Sequence, residues 1–164
     1  MIDGLAGLVL LIGPPGAGKS TFAQDLVERG VIESVAWISN DRLAIEMFGS
    51  EIDRQRDDGA IFAEQDRRVT ERLAQGESVV VDATNVKPEA RQRLIALARA
   101  QHQPVTAIRF NRSDATLLQQ NRNPDRTSVM PDEFVLNYAA LMRTTTSDSQ
   151  LHAEGISTIY DVCL

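Results

Sequence analysis

Leu8-Val9-Leu10-Leu11-Ile12-Gly13-Pro14-Pro15-Gly16-Ala17-Gly18-Lys19-Ser20 is the stretch whose reading decides the fold. Five consecutive apolar residues without polar alternation predict a parallel strand covered on both faces. The glycines that follow let the backbone curl with its N–H groups pointing inward, the lysine places a cation beside the curl, and Ser20 adds a hydroxyl. A helix opening at Lys19 directs its positive dipole end at the same spot. Strand, glycine loop and helix in this order imply a P-loop that holds a nucleoside triphosphate with Mg²⁺.

Outward from the loop, strands alternate with helices. The first helix is expected from about Lys19 to Arg29, ended by Gly30. Val35 to Ile38 reads as a second strand, followed by a helix from about Arg42 to Phe48 with Asp41 at or near its N-cap. Gly49 to Asp58 reads as a loop. Gly59 to Gln75 reads as a helix whose Phe62, Val69 and Leu73 recur at helical spacing. Ser78 to Asp82 is a third buried strand, and Pro88 opens a helix carrying Ala90, Leu94 and Leu97. Val105 to Phe110 forms a fourth strand, and Ser113 caps a helix to about Asn121. Arg122 to Pro131 is a polar loop, Phe134, Tyr138 and Leu141 mark another helix, Thr144 to Gln150 is a polar connector, and Ile156 to Val162 supplies a fifth strand. This order predicts a three-layer α/β fold with a parallel five-stranded sheet, built as one domain over residues 1–164.

The 164 residues carry a net charge of -6, which argues against indiscriminate attachment to duplex nucleic acid while allowing a local basic cleft. Lys19 and Lys87 are the only lysines. Arginines cluster instead, at Arg54/Arg56, Arg67/Arg68, Arg91/Arg93 and from Arg109 to Arg126, a bias that suits bidentate phosphate recognition. Most of them are expected on solvated helix faces. No apolar run approaches the roughly 20 residues of a membrane span, and no secretory leader is evident, so the chain is expected to be cytoplasmic. One cysteine, Cys163, and two separated histidines, His102 and His152, offer neither a disulfide nor a structural metal cluster.

Within this frame Lys19 serves the β- and γ-phosphates, and Ser20 serves the metal directly. The cradle itself runs through Gly13, Pro14, Pro15, Gly16, Ala17, Gly18 and Thr21. Asp82 closes the third strand, where an acidic residue orients water around the metal, or else caps the turn at Thr84 and Asn85. Asp41 lies just beyond the second strand, where functional groups gather in α/β sheets. It is a candidate general base for an acceptor hydroxyl, with a further contact to the metal through water, or a plain helix cap. Arg122 and Arg126 sit on the polar loop as a lid (about 122–131) that lowers positive charge onto the phosphates. The absence of an Asn-Lys-x-Asp motif after a strand argues against a guanine-nucleotide switch.

Gly13 to Ala23, Ile38-Ser39-Asn40-Asp41, Val80-Val81-Asp82-Ala83-Thr84-Asn85-Val86 and the Arg122–Arg126 segment together resemble the 5′-kinase domain of bacterial and phage polynucleotide kinases, along nearly the whole chain. The resemblance implies an adenylate-kinase-like phosphotransferase that moves the γ-phosphate of ATP to a 5′-hydroxyl end of DNA or RNA. It implies Asp41 as the base, Lys19 and Ser20 on phosphate and magnesium, and Arg122 and Arg126 on the nucleotide phosphates, with Lys19 and Arg126 counted as catalytic. Where that family places an arginine three residues after the aspartate, this chain has Ala44, and Val129 stands where a further lid arginine is expected. Arg42 lies about 200° around the helix from that position. Arg42, Arg54, Arg56, Thr84 and Asn85 are therefore the acceptor-side candidates. A kinase for a small-molecule hydroxyl and a nucleotide-binding regulator without turnover are the alternatives, and a monomer or small homo-oligomer is expected.

Overall fold

The computed structural model describes residues 5–49, 57–124, 126 and 129–163. In chain order the elements are β1 (Leu8–Ile12), α1 (Lys19–Glu28), β2 (Trp37–Ser39), α2 (Asn40–Phe48), α3 (Asp58–Ala74), β3 (Val79–Asp82), α4 (Pro88–Ala100), β4 (Val105–Asn111), α5 (Asp114–Asn121), α6 (Asp132–Thr145), α7 (Asp148–Glu154) and β5 (Thr158–Cys163). The strands form one sheet ordered β2-β3-β1-β4-β5, and every pairing is parallel. This is the three-layer α/β architecture that the sequence predicts.

β1 lies at the centre, paired to β3 on one side and β4 on the other, and all five of its side chains are buried. Its alternate residues feed two cores. Leu8, Leu10 and Ile12 pack with Leu43, Ile61, Val69, Leu94 and Leu151, whereas Val9 and Leu11 pack with Ala23, Leu26, Leu117 and Val135. Helices α2, α3, α4 and α7 thus contribute to one face and α1 and α5 to the other, while α6 reaches both, with Met142 in the first core and Val135 and Ala139 in the second. Burying each large apolar side chain stabilises by about 1.5–3 kcal/mol, which is why an uninterrupted apolar run settles only at the sheet's centre. The chain crosses from one flank of β1 to the other between β3 and β4, so a crevice opens at the carboxyl ends of the strands beside Gly13. Among the described residues no helix is long and apolar enough to cross a membrane.

Several boundaries differ from the sequence reading. Residues 34–36 form a single 3₁₀ turn, closed by Ala36 N–H donating to the Glu33 carbonyl at 3.0 Å, and the second strand starts only at Trp37. Val35 is consequently 65% exposed rather than a strand residue. Ser39, not Asp41, caps α2, its hydroxyl accepting from Arg42 N–H at 3.4 Å, and Asp41 falls inside the first turn. In α3 the inward stripe is Ile61, Gln65, Val69 and Leu73, which turns Phe62 outward. In α4 the inward stripe is Arg91, Leu94, Ile95 and Ala98. The expected connector 144–150 is largely helical: α6 runs on to Thr145, and Ser147 caps α7 by accepting from Gln150 N–H at 3.2 Å.

Candidate active site

The glycine loop leaves β1 at Gly13, whose N–H donates to the Thr84 carbonyl at 3.0 Å. A methyl group at Gly13 would lie 3.1 Å from both Ala17 Cβ and Phe110 Cβ, so only hydrogen fits there without displacement. Gly16 and Gly18 adopt φ of +85° and +96°, in the left-handed region that favours glycine. Gly18 is the N-cap of α1 and has no side-chain cap, so the first amides of that helix are left to an anion. Behind the loop, Asn85 (φ 50°) donates through Nδ2 to the Leu11 carbonyl at 2.8 Å. The 82–85 turn therefore buttresses the loop from beneath.

Lys19 is the first residue of α1 and is buried, and its Nζ donates to the Gly13 and Pro14 carbonyls, each at 2.8 Å. Burial lowers its pKa from 10.5 to about 8, with Asp82 and Asp41 pulling upward and Arg126 adding to the depression. Ser20 Oγ donates to Asp82 Oδ2 at 2.8 Å, joining the loop to the end of β3. Hard oxygens on a hydroxyl and a carboxylate suit Mg²⁺, which is usually held by one or two protein groups plus water and substrate phosphates. Among the described residues no group of three or more His, Cys, Asp or Glu gathers as a metal cage, and Mg²⁺ does not need one.

Lys19, Ser20 and Asp82 open into a cavity of about 400 Å³ that Pro15, Gly16, Gly18, Thr21, Asn40, Asp41, Thr84 and Arg126 also line. Ala83, Phe62, Met130 and Tyr138 complete its wall. Residues separated by more than 100 positions are thereby brought together around one space. Asn40 is fixed in place by Gln65, whose Nε2 donates to Asn40 Oδ1 at 2.8 Å while its Oε1 accepts from Arg93 Nη2 at 2.8 Å. That chain ties the start of α2, and with it Asp41, to α3 and α4. Asn121 closes the base of the arginine loop, donating to the Met130 carbonyl at 2.6 Å and accepting from Met130 N–H at 3.1 Å.

Other candidates lie elsewhere. Arg122 pairs with Asp132 at the start of α6 and does not line the cavity. Arg42 stacks on the Trp37 ring with Cζ 4.0 Å from its centroid and donates through Nη1 to the Trp37 carbonyl at 3.2 Å, facing a neighbouring groove. Asn85 is buried and directed at β1, so of the two turn residues only Thr84 faces the cavity. Arg54 and Arg56 lie outside the described residues. Ala44 is fully buried in the core, so that position has no room for an arginine without displacing its neighbours. The sequence reading missed Gln65, Asn40 and Asn121 in their supporting roles. It also missed Arg91, a fully buried guanidinium paired with Glu154 at 2.7 Å.

A family model described as AAA domain matches residues 8–146. No curated protein matches the sequence. Among solved structures, a chain of the Pnkp1/Rnl/Hen1 RNA repair complex aligns with a TM-score of 0.71 and 20% identity over 86% of this chain. This chain spans only 45% of that one. A gluconokinase from Sinorhizobium meliloti 1021 aligns with a TM-score of 0.62 and 19% identity, covering 98% of this chain and 85% of its own. Kti12 of Chaetomium thermophilum, in complex with ADP-AlF3, gives 0.65 and 17%, with coverage of 95% and 88%. At such identities the likeness establishes the fold.

Proposed function

The chain belongs to the AAA domain family and has a P-loop kinase-like fold, and from that premise we propose that it is an ATP-dependent phosphotransferase acting on a 5′-hydroxyl end of DNA or RNA. The observation that carries this reading is one cavity shared by the phosphate cradle, by Asp82 and by Asp41. The cradle accounts for a donor. A carboxylate across the same space accounts for an acceptor, because binding nucleotide alone calls for no base there.

In this mechanism the loop amides and Lys19 hold the triphosphate, and Ser20 and Asp82 would hold the metal. Mg²⁺, when bound, neutralises charge on the transferring group. Asp41 takes the proton from the acceptor hydroxyl as its oxygen bonds to the γ-phosphorus. The bond from that phosphorus to the β,γ-bridging oxygen breaks, and ADP departs with the electron pair. Lys19 and Arg126 stabilise the charge that moves onto the leaving oxygens. Transfer of label from γ-labelled ATP to 5′-hydroxyl oligonucleotides tests the reading, and Asp41→Asn should lower the rate by about 10²-fold or more. An undiminished rate in Asp41→Asn refutes the base assignment.

A second reading, phosphorylation of a small-molecule hydroxyl, is favoured by buried Ala44, which offers no cation for an acceptor phosphate. Competition separates the two. Oligonucleotides that neither accept label nor slow background ATP hydrolysis, beside one labelled metabolite from a panel of nucleosides and sugars, decide for the second.

A further inference from the structure

The residue that touches Asp82 from behind is Trp37. Its Nε1–H donates to Asp82 Oδ2 at 3.1 Å, the same oxygen that accepts from Ser20 Oγ. In the sheet, Trp37 pairs with Val80 and Ser39 with Asp82, so the indole reaches along the strand direction to meet a carboxylate two residues ahead of its own partner. From the other side the Arg42 guanidinium lies over the ring and bonds to the Trp37 carbonyl. The ring is thus held between a cation and a carboxylate, on the edge strand of the sheet.

We propose that Trp37 is a positioning residue for the divalent metal, acting through Asp82. This rests on the reading of Ser20 and Asp82 as the metal-side pair. Two donors arriving from different elements, α1 and β2, fix the rotation of the Asp82 carboxylate. An uncharged N–H does so without adding the positive charge that would compete with a cation. Loss of the indole donor frees the carboxylate to turn toward Ser20 alone, and the site must then be ordered at the expense of metal affinity. Partners of a direct metal ligand typically change affinity by about 10–100-fold, and with Asp82 acting through water the low end of that range, about 10-fold, is expected. The bland account of the same contact is that Asp82 merely satisfies a half-buried indole, in which case the metal is indifferent to it.

The chain contains a single tryptophan, so replacing tryptophan by β-(benzothien-3-yl)alanine exchanges one N–H for sulfur at one position and leaves ring size and stacking in place. Mn²⁺ binding to the full chain at saturating ADP, followed by calorimetry, gives a readout that involves no acceptor and no turnover. The expected result is Mn²⁺ affinity about 10-fold weaker in the isostere and in Trp37→Phe, with metal-free ADP affinity of the isostere unchanged and its thermal midpoint lower only by the few degrees that one hydrogen bond accounts for. Unchanged Mn²⁺ affinity in the isostere overturns the proposal while leaving the metal-side pair intact. An equal loss of metal-free ADP affinity overturns it as well, since the effect is then general. Wild-type protein that binds no Mn²⁺ with ADP would remove the underlying pair and the inference together.

Discussion

Arg91→Met should be among the most damaging single substitutions outside the cavity. All its guanidinium contacts are interior: Nε and Nη2 donate to Glu154 at 2.7 and 2.8 Å, Nη1 to the Asn85 and Val86 carbonyls at 3.0 Å each, and Nη2 to the Thr145 carbonyl at 2.7 Å. Methionine fills much of the volume but leaves the Glu154 carboxylate, 7% exposed, without its counter-charge. Breaking such a pair costs about 3–5 kcal/mol. Gln150 still donates to Glu154, and Thr145 Oγ1 still donates to the Val86 carbonyl, so the further loss is confined to the Asn85 and Thr145 carbonyls at about 1 kcal/mol each. For a domain of this size a loss of about 5–7 kcal/mol lowers the thermal midpoint by about 10–28 °C. Urea and thermal unfolding followed by circular dichroism measure it. Adding Glu154→Leu removes the stranded charge and should restore about 2–4 kcal/mol. A loss below about 1 kcal/mol, or a double variant no more stable than Arg91→Met, would refute the claim that the ion pair locks the 85–86 turn to the last helices.

Two further outcomes concern the loop and its lysine. Because Lys19 titrates near 8 when folded and at 10.5 when unfolded, the unfolded chain binds more protons between those values, so stability should be flat below pH 8 and rise from pH 8 to 10.5. The rise is on the order of 3 kcal/mol, and Lys19→Met should abolish it in pH-dependent urea titrations; an unchanged slope in that variant would place the titration elsewhere. Gly16→Ala imposes a side chain at φ +85° and puts its Cβ 3.1 Å from the Leu117 carbonyl. It should lower stability by about 1–3 kcal/mol and weaken ADP binding, and calorimetric affinity equal to wild type would show that the loop does not need that backbone shape.

The glycine loop was legible because its requirements are local: a left-handed φ, a short side chain and a lysine are all visible within eight residues. The β1 run was legible for a similar reason, since burial on both faces leaves an apolar string. What escaped the sequence is polar and long-range. Gln65 occupies a core position in α3 because Asn40 and Arg93 satisfy its amide, and periodicity cannot distinguish a satisfied glutamine from a solvated one. Nothing in the sequence sets Arg91 apart from the arginines on solvated faces, because its partner lies 63 positions away. The Trp37 contact with Asp82 spans 45 positions. Helix α7 escaped because its seven residues bury one side chain, Leu151, too little to set a period. The acceptor side was the least legible part: Asp41 and Thr84 do face the cavity, but Arg42, a candidate for its nearness to position 44, and Asn85, a candidate with Thr84 in the 82–85 turn, are directed elsewhere.

Lys19 bonds to two carbonyls of its own loop, and this bears on what a change at that position costs. The ammonium serves as an internal clasp that ties the start of α1 back to the residues leaving β1. Removing it takes a donor from two main-chain carbonyls of the curl at once, so a substitution at Lys19 reshapes the loop as well as stripping it of a charge.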